Sequence, residues 1–232
     1  MRRFLIAVLV ILMAAMPAAA LAETKIAVTG TGNSLVPADV AVISMGVMER
    51  DPDVLTAQAK VNEKIAAIRS ALVEQGVQEE DINTDFINIY AIYDYRDDRE
   101  LLTGYNVSST LAVRVTEMDK VGGMIDVAFG AGANTLNGIN FSATDTSAAK
   151  AEALKIAVAD AKAKAEVLAD AAGLKIAGIE TISENGTYSY ERGPMNFVAK
   201  ESAAADGIAG TVVQAAKLNV EATVSITFIT EE

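Results

Sequence analysis

Between Lys217 and Thr230 an apolar side chain falls at every second position: Leu218, Val220, Ala222, Val224, Ile226 and Phe228. Successive residues of an extended chain point to opposite faces, so this stretch reads as a strand with one wholly apolar face. Such a face has to be covered by another layer. The sequence supplies one. Thr146 or Ser147 opens a long run ending at Gly173 in which Leu154, Val158, Ala161, Ala165, Leu168 and Ala172 are spaced four, three, four, three, four. That spacing marks one face of a helix, and Gly173 suits the left-handed position just past its end.

The same two periods alternate along the rest of the chain. Ile26 to Gly30 and the Val- and Ile-rich Asp39 to Glu49 read as strands. Asp51, Pro52 and Asp53 open a helix whose buried face is Val54, Val61, Ile65, Ile68 and Leu72, stopped by Gly76. Asp81 to Tyr95 is apolar on both alternations, which predicts a strand covered on both sides for part of its length. Tyr105 to Val115 alternates cleanly, with one face toward water, and DYRDDRELLTG between the two reads as a charged hairpin loop. A shorter helix over Asp119 to Phe129, a strand over Thr135 to Ala143 and another over Leu174 to Ser183 follow. Asn185 to Gly210 has no period and predicts a long flexible loop at about 185–210. The fold class is therefore α+β, an antiparallel sheet or sheets with long amphipathic helices packed on one face. One unit over 23–232 accounts for the order, which also admits two similar strand-helix-strand-strand halves.

The chain begins MRRFLIAVLVILMAAMPAAALA: two arginines, an apolar run from Phe4 to Met16, and small residues up to Ala22. This predicts a cleaved signal peptide over 1–22 and a mature chain from Glu23, because the run is shorter than the roughly 20 residues a membrane span needs. No later stretch is long and apolar enough to span as a helix, so the mature chain is not expected to cross a membrane. Losing Arg2 and Arg3 leaves 17 basic against 31 acidic residues and takes the net charge from −12 to −14. Nucleic acid is excluded as a partner on that balance, since phosphate neutralisation relies on Lys and Arg.

Cysteine is absent, which excludes disulfides, thiolate metal sites, a cysteine nucleophile and lipid attachment after the leader. Histidine is absent too, removing the usual general base and most zinc sites. No catalytic residue, cofactor or metal site is assigned on this reading; an enzyme would have to work with carboxylates, Lys, Tyr or Ser.

VTGTGNSLVPADVAV, Val28 to Val42, lacks the third glycine and following helix of a dinucleotide loop and the Gly-Lys-Ser/Thr of a Walker loop. Gly30, Gly32, Pro37 and Asp39 are read as a sharp structural turn between strands, or a ligand corner, with Asp39 accepting local backbone hydrogen bonds. Three acidic groups, Asp51 with Asp53, Asp94 with Asp97, Asp98 and Glu100, and Asp160 with Glu166 and Asp170, are read as caps and solvated faces. DYRDDRE in particular lacks the ligand spacing of a calcium loop. Tyr188, Tyr190, Met195 and Phe197, large apolar residues in the unpatterned segment, are the candidate interaction surface.

Taken in order, VTGTGNSLVPADVAVISMGV, TDFINIYAIYDY, GYNVSSTLAVRV, GANTLNGINFSATD and AAKAEALKIAVADAKAKAEVLADAAG resemble the SIMPL-domain family of exported bacterial proteins over nearly all of the mature chain. The resemblance implies a periplasmic or outer-membrane-associated protein, homo-oligomeric assembly, contact with envelope components and, for some members, a link to oxidative-stress tolerance. No catalytic residues come with it. The expectation is a non-enzymatic protein that acts by assembly. The alternatives are a small-ligand binding module at the glycine corner and the Tyr90, Tyr93, Tyr95 strand, and a carboxylate-based hydrolase.

Overall fold

A computed structural model describes residues 24–96, 99–191, 210–215 and 217–232. The elements are β1 (Lys25–Pro37), β2 (Val40–Asp51), α1 (Val54–Glu74), β3 (Ile82–Arg96), β4 (Arg99–Val115), α2 (Val121–Gly130), β5 (Thr135–Ser142), α3 (Ser147–Ala172), β6 (Lys175–Glu191) and β7 (Lys217–Glu231). They form two antiparallel sheets, ordered β1-β7-β6 and β3-β4-β2-β5. The α+β class is as expected.

The two halves are present, but nested. In β2-α1-β3-β4 and in β1-α3-β6-β7 a strand is followed by a long helix and two strands, and the last strand takes the central place in the sheet. The first of these units, with α2 and β5 added, is inserted between β1 and α3 of the second.

Each unit has its own core. In the inserted unit, Ala57, Val61, Ile68 and Leu72 of α1 pack with Ile43, Met45, Val47, Leu111 and Val113 of the sheet. In the outer unit, the alternating face of β7 supplies Val220, Ala222, Val224, Ile226 and Phe228. Asp53 caps α1 as expected, accepting from the Thr56 backbone N–H at 2.8 Å. At α3 the acceptor is neither Thr146 nor Ser147: the Asp145 carboxylate takes the Ser147 N–H, at 2.8 Å. Gly173 ends that helix at φ 71, where a side chain would be strained.

Five expectations are corrected in whole or in part. β1 is not a short run ending in a corner at Gly30; it continues through both glycines to Pro37, paired with β7 throughout. The buried stripe of α3 is Ala149, Ala153, Ala157, Ala161, Ala165 and Ala169, every fourth residue, while Leu168 is 49% exposed. β3 is an edge strand, and most of its apolar side chains are exposed rather than covered on both sides. The charged hairpin is nearly all strand, with Arg96 paired to Arg99. Of the loop expected at about 185–210, Asn185 to Glu191 is strand, and 192–209 lie outside the described residues, as do 1–23.

Candidate functional site

Neither a phosphate cradle nor a corner explains Gly30 and Gly32. Both lie within β1 under α3. A Cβ on Gly30 would sit 2.0 Å from the Ala157 carbonyl oxygen and 2.7 Å from the Ala161 Cβ; one on Gly32 would sit 2.1 Å from the Ala153 carbonyl oxygen. Helix and strand approach until only glycine on one side and alanine on the other can fit. The space a ligand would need on that face of β1 is occupied by the helix. Tyr90 and Tyr93 lie on β3 in the other sheet, so the glycines and tyrosines do not converge on one site.

This close approach also brings α3 to the open edge of β1. The Asp160 carboxylate accepts the Thr31 backbone N–H at 2.8 Å and the Lys164 ammonium at 2.7 Å, and Lys164 donates to the Thr29 carbonyl at 3.0 Å. Hydrogen bonds from Lys164 and then from Thr31 hold the Asp160 carboxyl below its ordinary range. The sequence pattern places Asp160 on a solvated helix face, but that is not how Asp160 and Lys164 are used. They instead satisfy backbone groups that an edge strand leaves unpaired.

Pro37 is the last residue of β1, and Asp39 stands where the chain enters the inserted unit. Its backbone N–H donates to Ser142 O at 3.0 Å, and its carboxylate accepts the Thr144 N–H at 2.7 Å and the Thr144 hydroxyl at 3.1 Å. Asp39 therefore ties the entry of the insert to its exit, 105 residues away in sequence. Reading it as a local turn found the chemistry but not the partner.

Asp51 and Asp53 are structural as well. Asp51 accepts the Asp53 N–H and pairs with Lys60 at 2.7 Å; the Lys60 hydrogen bond is the main reason its carboxyl is held low. Asp97 and Asp98 lie outside the described residues, and among those described no cluster of three or more acidic side chains is arranged to hold a metal. A contact not legible in the sequence is that of Asp126 on α2 with Thr211, which donates its N–H at 3.0 Å and its hydroxyl to that carboxylate. These bonds lower the Asp126 carboxyl. The chain beyond residue 209 thereby reaches from the outer unit to the inserted one, where Val213 joins the core.

Of the candidate interaction residues, Tyr188 is strongly exposed near the end of β6, with its ring over Gly186. Tyr190 is paired to Asn219 in β6, and Met195 and Phe197 lie outside the described residues. The larger exposed apolar surface is elsewhere, on β3. Ile87 and Ile89 face the helix side, opposite Ser109 and Val107, beyond the cover of α1, and are 63% and 43% exposed. Phe86 and Tyr90 occupy the other face, opposite Thr110 and Asn106, with Tyr90 Oη accepting from Asn106 Nδ2 at 2.6 Å. Both are nearly half exposed, as is Tyr93. The sequence predicts cover on both sides of this run because apolar residues fall on both alternations, but that pattern does not distinguish a covered strand from an uncovered one.

Comparison with known proteins adds the following. The family model described as SIMPL, protein of unknown function (DUF541), matches residues 26–228. A 26 kDa periplasmic immunogenic protein of Brucella melitensis is 38% identical over 165 residues, 69% of this chain and 66% of that protein. The match thus spans just under two thirds of that relative's length. The uncharacterized protein YggE of Escherichia coli K12 is 27% identical over 191 residues, 82% of this chain and 77% of YggE.

Proposed function

The chain belongs to the SIMPL family, and from that premise we propose that it works by assembling with copies of itself and by contacts in the cell envelope, rather than by turning over a substrate. It is an exported, periplasmic protein, like the Brucella relatives named as such. Among its described residues no helix is long and apolar enough to cross a membrane.

The observation that carries the assembly reading is the uncovered apolar surface of β3. Single exposed apolar side chains are ordinary, but here they crowd one edge strand on both of its faces, Ile87 and Ile89 on the helix side and Phe86 and Tyr90 on the other, with Tyr93 and its partner Leu102 beyond them. Exposed apolar side chains gathered along one sheet edge favour a contact there. The carboxylates held low, Asp51, Asp126, Asp145 and Asp160, are accounted for by caps, ion pairs and backbone anchoring, which agrees with a structural rather than catalytic use of acidic residues.

The reading includes removal of residues 1–22 and, through the family, a contribution to oxidative-stress tolerance. With no cysteine, any such contribution is not thiol chemistry. Light scattering on the protein purified from the periplasm tests assembly, and N-terminal sequencing of the same sample tests cleavage before Glu23. Survival in peroxide of cells lacking the protein tests the stress link; survival equal to the parent's removes it.

A further inference from the structure

We infer that two copies join by antiparallel pairing of β3 with β3, extending the two four-stranded sheets into one continuous sheet across a twofold axis. This rests on the assembly reading and says where the contact lies.

Sheet edges carry unpaired N–H and C=O groups, and proteins protect them in recognisable ways. Among the described residues, three of the four sheet edges are protected. β1 has the Thr31 N–H and Thr29 carbonyl occupied by Asp160 and Lys164. β6 is interrupted by three register shifts against β7. β5 is only eight residues long and has a register shift of its own. β3 differs: Phe86 to Ile92 pairs with Thr110 to Gly104 in unbroken register, with shifts confined to either end of that run.

The charge pattern favours a second copy as the occupant. The chain carries a net charge of −12, so two copies repel wherever their acidic surfaces meet. From Phe86 to Tyr93 there is no charged residue, and Asp85 and Asp94 bracket the run. Within the run copies can approach with little like-charge cost, the acidic residues being confined to its two ends, while the edge backbone supplies direction.

Phe86, Ile87, Ile89, Tyr90 and Tyr93 are 43–63% exposed. Pairing at the edge would bring each beside side chains of the partner strand on the same face, the cross-strand contact that stabilises sheets, while the paired backbone supplies the rest of the contact. The aromatic content also suits the centre of an interface.

The test uses the mature chain and the double variant Ile87→Lys/Ile89→Lys, with Leu55→Lys on the exposed face of α1 as control. The β3 variant should keep the parent's circular dichroism and urea midpoint while its native mass falls at least twofold; the control mass should not change. Because the chain has no cysteine, single cysteines introduced one at a time at positions 87–91 give a second readout. Pairing about a twofold axis predicts oxidative cross-linking to a dimer that peaks sharply at the positions nearest the axis, and none from Leu55→Cys. An assembled parent whose mass is unchanged by the lysines, or cysteines in this run that do not cross-link, overturns the β3 contact and leaves assembly standing. A parent of one chain overturns both.

Discussion

Replacing Gly30 by alanine adds one methyl group where β1 and α3 lie in close contact. Nothing about the backbone forbids it, since Gly30 is in an extended strand and not in the left-handed region. The new carbon would lie 2.0 Å from the Ala157 oxygen, whereas nonbonded atoms settle at about 3.5 Å. Helix α3 must therefore move by more than about 1 Å, and a gap of that size forfeits a quarter to a half of each dispersion contact it opens. The stripe at risk is six alanine methyls, worth about 0.8 kcal/mol each when buried, so about 2 kcal/mol is lost along the helix. Overpacking at the site itself costs another 1–3 kcal/mol or so. Reduced freedom of the unfolded chain returns roughly 0.4–1 kcal/mol. The expected net loss is about 3 kcal/mol, read as a drop in the urea midpoint. The matched control is Gly123→Ala in α2, where a Cβ meets nothing within 4 Å; it should stabilise by roughly 0.5–1 kcal/mol. A Gly30→Ala protein within about 0.5 kcal/mol of the parent would refute the close-contact account.

Three further outcomes follow from the same structure. Ala161→Leu should cost about 2–3 kcal/mol in a urea titration, because it overpacks the fully buried stripe, whereas Leu168→Asp, on a half-exposed side chain, should stay within about 1 kcal/mol. Asp160, Asp126, Asp51 and Asp145 all have folded carboxyl pKa values lowered from 3.8. Their stabilisation is therefore present above that value and lost as pH falls through the lower folded values, so the urea midpoint should drop in acid, and less steeply in Asp160→Asn. Asp39→Ala should cost about 1 kcal/mol and raise amide exchange at Thr144, whose N–H loses its acceptor.

What was legible in the sequence was whatever depends on period. The β7 alternation, the α1 face and the Asp53 cap all follow from spacings of two and three to four, and they fix the α+β class. At α3 side-chain size is a poor guide to burial. Large residues usually face a core, but here Gly30 and Gly32 draw the helix so close that only alanine fits beneath it, leaving Leu168 half exposed. The two glycines and the alanine repeat explain one another, yet they stand more than a hundred residues apart, and each alone reads as something else. Asp39 and Asp160 were hidden for the same reason: their partners, Thr144 and Thr31, are distant in sequence. Whether β3 is covered depends on how far α1 reaches across the sheet, which no local pattern encodes.

The most direct test of the account as a whole is the native mass of the mature protein, by light scattering across a dilution series at micromolar concentration. Action through assembly predicts a discrete mass of two or more chains that persists through moderate salt, since the contact is apolar and backbone-mediated. A single-chain mass at every concentration would contradict it.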